Sequence, residues 1–258
     1  MILKINDKDT YKNVDFIWKN YNHFNSETVK IYINNKEIEF KKYFEPKREG
    51  LYEIRIEIFV ELLDCSHMFN SSNIINIDLS HFRSDKVTNM KDMFSGGYNL
   101  INIKFGSFNT KNVTTMERMF LGCPNLRTLD LSSFDTSNAA NMSHMFFGCL
   151  GLMFVNLSSF YTKNVTNMSK LFWWCRYLTN IILLSFDTSN VINMSSKFEL
   201  YEKLENIDLS SFNTKNVVDM SNMFKNCTNL KKVKFASHDY LLKADITGMF
   251  EGCENVEH

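Results

Sequence analysis

The sequence predicts an α/β repeat solenoid, and three ladders of residues predict it. A phenylalanine, usually preceded by methionine, recurs at Phe69, Phe94, Phe120, Phe146, Phe172, Phe198, Phe224 and Phe250, spaced 25 residues once and 26 thereafter. A second ladder runs Phe82, Phe108, Phe134, Phe160, Phe186 and Phe212, and a third Met90, Met116, Met142, Met168, Met194 and Met220, both at 26. His238 and Ile246 stand where these two ladders end. Self-similarity at a fixed period marks units that cannot bury an apolar face alone and must stack on their neighbours. The expected layout is an N-terminal β-rich cap over residues 1–62, then about seven units over 63–258, the first of 25 residues and the rest of 26.

The cap is read from alternation. Val29, Ile31 and Ile33 alternate with polar residues, Asn34-Asn35 offers a turn before Ile38 and Phe40, and Tyr52, Ile54, Ile56 and Ile58 alternate again after Gly50. Three strands and a hairpin at Asn34-Asn35 follow from that pattern. Such strands would cover the apolar end and strand edge that a first repeat otherwise exposes.

Within a repeat, Leu129 and Leu131 flank Asp130, the period-2 signature of a short strand with one buried face. Ile77/Leu79, Ile103/Phe105, Val155/Leu157, Ile181/Leu183, Ile207/Leu209 and Val233/Phe235 are equivalent. One strand per unit implies a single parallel sheet, and the crossovers imply a right-handed stack. The second half, residues 134–149, begins with the turn and cap formers Asp135, Thr136, Ser137 and Asn138. Ala139, Met142, Met145, Phe146 and Cys149 then follow at three- and four-residue steps, which predicts a short helix ending at Gly148.

The phrase Leu129-Asp130-Leu131-Ser132-Ser133-Phe134-Asp135-Thr136-Ser137-Asn138, with Asn167-Met168-Ser169 before Leu171-Phe172, resembles the BspA-like leucine-rich-repeat family. That family includes tandem-repeat surface proteins of mycoplasmas and some protists. The resemblance spans residues 63–256 and recurs in every unit. It implies a leucine-rich-repeat-like solenoid used for adhesion or protein binding at a cell surface, with no catalytic residues.

Composition narrows the function further. Lysine and arginine number 29, aspartate and glutamate 29, so the chain lacks the basic field that nucleic-acid binding needs. No apolar run of about 18 residues marks a membrane-spanning helix, and the first nine residues lack the layout of a secretory signal. A cytoplasmic location, as that start suggests, and a cell-surface one, as the resemblance implies, both stay open.

Catalytic and cofactor chemistry finds no foothold. Cys123, Cys149, Cys175, Cys227 and Cys253 share one repeat slot, with Tyr201 in the missing place, and no Cys-x-x-Cys pair suggests a metal. They are expected to be a column of buried thiols. Asp135, Asp187 and Asp239 alternate with Asn109, Tyr161 and Asn213, which suits turn capping rather than a calcium array. No one slot holds the six histidines, and none neighbours a nucleophile motif. Asn112, Asn141, Asn164, Asn167 and Asn193 begin Asn-x-Ser/Thr triplets, read as capping chemistry rather than glycan acceptors. No metal, cofactor or catalytic residue is assigned.

A partner site is expected where repeats depart from their own pattern at outward positions. Leu121, Phe147 and Trp173 are apolar on consecutive units where Asn70, Ser95, Glu199, Lys225 and Glu251 are polar, and Trp174 and Tyr177 extend them. On the strand face, Phe154, Ile182 and Leu184 interrupt a polar row of Asp78, Lys104, Asp130, Asn156, Asp208 and Lys234. Exposed aromatic clusters mark interfaces. A protein-binding or adhesion module follows as the functional expectation, and a self-associating scaffold without a dedicated ligand site is the alternative. At the C-terminal end, Lys231, Lys232 and Lys234 crowd the last expected strand, as charges do on open edges.

Overall fold

The computed structural model describes residues 2–5, 14–17, 22–179, 181–183, 185–236 and 243–256. The calls on Leu184, His238 and Asp239 lie outside them. Near the N-terminus, β3 (Val29–Ile33) and β4 (Lys36–Ile38) form a hairpin. Asn34 and Asn35 both have positive φ, 48° and 66°, the two-residue turn whose twist matches the strands it joins. Strand β6 (Gly50–Ile58) pairs with β3 and with β1 (Ile2–Ile5), while β2 (Val14–Asp15) and β5 (Tyr43–Phe44) make a separate short pair. Strand β1 also pairs with β7 (Ile74–Asp78), the first repeat strand, which in turn pairs in parallel with β8 (Asn102–Lys104). One six-stranded sheet, ordered β4-β3-β6-β1-β7-β8, therefore joins the N-terminal segment to the first repeats.

The expected α/β repeat solenoid with a helical face and one continuous sheet is not what forms. Among the described residues there is no helix, and the strands are short and fall into small separate sheets. Strands β9 (Thr128–Asp130) and β10 (Phe154–Asn156) make one parallel pair, β11 (Asn206–Leu209) and β12 (Lys232–Phe235) another. Residues 181–183 form no strand, although Leu183 is buried and Ile182 points out as alternation requires.

The helix fails for a reason visible in its backbone. The N–H groups of Met145, Phe147 and Cys149 donate within the repeat to the carbonyls of Met142, His144 and Phe146, three residues back. Those of Met142, His144, Phe146 and Gly148 donate instead to Asn167, Ser169, Leu171 and Trp173 of the next repeat, at 2.8–3.2 Å. A helix would keep every N–H within its own turn. Here alternate donors leave, and left-handed φ at His144 (59°) and Gly148 (70°) interrupts the right-handed run. Apolar side chains at three- and four-residue steps thus arise from a ribbon of tight turns.

Each repeat also contributes one bridging residue to a parallel series, Asp64–Asn89–Thr115–Asn141–Asn167–Asn193–Asp219–Asp245. Their side chains accept the N–H two residues on, as in Asn141 with Ser143 at 2.9 Å and Asp219 with Ser221 at 3.0 Å. Asp135 and Asp187 do likewise with Ser137 and Ser189. The amides of Asn112 and Asn164 donate to the Asp85 and Ser137 carbonyls of the preceding repeat. These polar side chains therefore close turns and tie repeats together.

The core is a set of columns. The rings from Phe69 to Phe250 stack face to face, with centroids 5.2–5.9 Å apart. Phe108, Phe134, Phe160, Phe186 and Phe212 are buried and Phe82 is half-buried. Buried thiols of Cys123, Cys149 and Cys175 donate to the Phe94, Phe120 and Phe146 carbonyls at 3.1–3.2 Å, and burial pushes the Cys123 thiol up to about 12. At the C-terminal end β12 pairs only with β11 among the described residues. Lys231 and Lys234 there meet Glu205 and Asp208 of the neighbouring repeat at 2.8 and 3.0 Å.

Candidate protein-binding surface

The turn ribbon that replaces the helix sets the geometry of the aromatic cluster. Leu121, Phe147 and Trp173 occupy one slot on three successive repeats and are each half-buried. The rings of Phe147 and Trp173 stack at 4.2 Å and 21°, and Trp174 meets Trp173 edge-on at 5.6 Å and 66°. His144 lies against Phe147 at 5.7 Å. Trp174 is 38 % exposed and Tyr177 53 %. An aromatic platform is thus assembled from residues of different repeats, on rungs locked by cross-repeat hydrogen bonds.

Trp174 is the bulkiest side chain in a left-handed slot. Its slot holds Gly96, Gly122, Gly148 and Gly252 in four other repeats and Ser71, Leu200 and Asn226 in three, all with positive φ, and Trp174 adopts φ 62° there. A bulky residue in the left-handed region costs roughly 1–2 kcal/mol. The signal was present in the sequence as a tryptophan in a column where glycine recurs.

The second expected group is not brought together in the same way. Phe154 and Ile182 are 49 % and 68 % exposed. Phe154 opens β10 beside Thr128, whereas Ile182 takes the slot of Asn156, so the two sit on neighbouring rungs two residues out of register. Met153, also exposed, flanks Phe154 and had no sequence signal of its own. Leu184 lies outside the described residues.

Among the described residues no group of three His, Cys, Asp or Glu could hold a metal, and no helix is long and apolar enough to cross a membrane. Near the N-terminus, Ile54, Ile56, Ile58, Phe69, Ile77 and Phe82 line an open cavity of about 660 Å³ with charged residues at its rim.

The stacked turns and side-chain columns define a tandem-repeat protein whose outward platform is aromatic. The chain belongs to the family described as Mycoplasma protein of unknown function, DUF285, which matches residues 63–153 and again 149–258. No curated protein and no solved structure matches it.

Proposed function

We propose that this chain is a non-catalytic protein-binding module that engages its partner through Phe147, Trp173, Trp174 and Tyr177. The observation that carries this reading is the stacked Phe147–Trp173 pair with Trp174 edge-on beside it, half-exposed and held in a left-handed slot that glycine fills in four other repeats. Strain kept at a surface position, next to a stacked aromatic pair, suits a site maintained for recognition. The resemblance to BspA-like repeat proteins supports adhesion as the setting.

The competing reading is a self-associating scaffold, for which the exposed Ile182 and Phe154 speak. Comparing the parent with Trp173→Ala/Trp174→Ala separates them. Specific retention of one partner from native lysate by the parent, lost in the variant with both chains monomeric by light scattering, is the expected result. A change confined to the monomer–oligomer balance would favour the scaffold.

A further inference from the structure

Beside the aromatic row runs a second one, three residues earlier on the same repeats: Arg118, His144 and Lys170, before Leu121, Phe147 and Trp173. Both rows stop together, because Ser196 and Glu199 fill the two slots on the following repeat. The basic side chains feel one another. Burial is the first cause of the low His144 pKa, the charges of Lys170 and Arg118 add to it, and Glu117 and Asp92 oppose it. Arg118 is already held by Asp92 at 3.4 Å and by Glu117 at 3.2 Å. Among the described residues Lys170 has no carboxylate partner and the buried Nδ1 of His144 has no hydrogen-bond partner.

The surface therefore offers an apolar platform next to an uncompensated ammonium and a half-buried imidazole. Resting on the protein-binding reading, we propose that it takes an extended, acidic segment of a partner protein, with an apolar side chain on Phe147–Trp173 and a carboxylate against Lys170 and His144. Charge complementarity selects this occupant. A neutral sugar could stack on the tryptophans but would leave Lys170 without a role. An anionic lipid surface needs a broad basic field, and here Glu199 bounds the patch while the whole chain is neutral. Among the groups facing His144, a bound carboxylate adds to the pull of Glu117 and Asp92 and favours the imidazolium. Binding then strengthens as the pH falls from 7.5 to 5.5.

The test uses the full chain and three labelled eight-residue peptides, alternating Asp–Leu, Lys–Leu and Asp–Gly, read by fluorescence anisotropy. The Asp–Leu peptide should bind best, weaken about fivefold or more with Lys170→Glu, and gain affinity at pH 5.5 in the parent but not in His144→Gln. Lys170→Met, which keeps the aliphatic stem, should weaken binding as well. Equal or tighter binding of Lys–Leu, or indifference to both Lys170 variants, overturns the acidic partner. If Trp173→Ala still abolishes that binding, the protein-binding reading survives its failure. Failure of every peptide to bind, with binding to anionic vesicles instead, overturns both.

Discussion

Lys197 stands in a column that other repeats fill with Met68, Met93, Met119, Met145, Leu171, Met223 and Met249. It is fully buried, with Nζ 4.4 Å from the Phe212 ring centre, 5.3 Å from Phe186 and 5.5 Å from Phe198. Among the described residues its hydrogen-bond acceptor is the Met168 sulfur at 3.5 Å, a weak one. Burial lowers its pKa from 10.5 to about 7. Between those values the unfolded chain holds a proton there that the folded chain does not, so this group lends stability as pH rises through that window and withdraws it as pH falls towards 7. Tyr201, in the cysteine column of the same repeat, is also buried, and its hydroxyl has no hydrogen-bond partner among the described residues. Lys197→Met should stabilise the chain at pH 7, and its advantage should shrink towards pH 8.5 by at most about 1.4 kcal/mol per pH unit. Denaturant titrations of parent and variant at both pH values measure this; a gap that stays constant would mean the ammonium is not buried as described. The column was legible in the sequence, but a lysine reads there as a surface residue until the neighbouring rungs are in place.

At the scale of the element, the turn ribbon is the part that sequence reasoning misjudged. Ala139, Met142, Met145, Phe146 and Cys149 fit helical steps, because a run of tight turns advances the chain by similar increments. Periodicity reports which side chains are buried, not where their N–H groups go. The contrary signal was a pair of left-handed slots four residues apart, held by Asn222 and Asn226 in one repeat and by Gly248 and Gly252 in the next, which one helix cannot hold. The polar turns were read more accurately, and Thr136 shows what they contribute. It is buried, donates to the Tyr161 carbonyl at 3.0 Å and accepts the Tyr161 N–H at 2.8 Å. Thr136→Val keeps the shape but leaves that backbone donor unpaired, so it should cost about 1–3 kcal/mol. Thermal or denaturant melts decide it, and an unchanged midpoint would show that the cross-repeat bond adds nothing.

At the scale of the whole molecule, the period, both phenylalanine columns and the cysteine column were legible, since stacking repeats at constant spacing turns a one-dimensional pattern into contacts. The aromatic platform was legible as a departure from that pattern. The basic row of Arg118, His144 and Lys170 was not, because three different side chains at a constant interval register as a row only once the rungs are aligned. The break in the strands at residues 181–183 was equally hidden, as Ile181 and Leu183 keep their alternation without a ladder.

On the proposed protein-binding reading, Trp174 stays in a left-handed slot at some cost to stability because its indole contacts a partner. Trp174→Gly separates that from packing: glycine relieves roughly 1–2 kcal/mol of backbone strain, offset in part by its greater freedom when unfolded. The most direct measurement is partner retention by this variant at a temperature where it and the parent are both folded. The variant is expected to melt no lower than the parent and yet to lose the partner. A variant that holds the partner as firmly as the parent would contradict that reading.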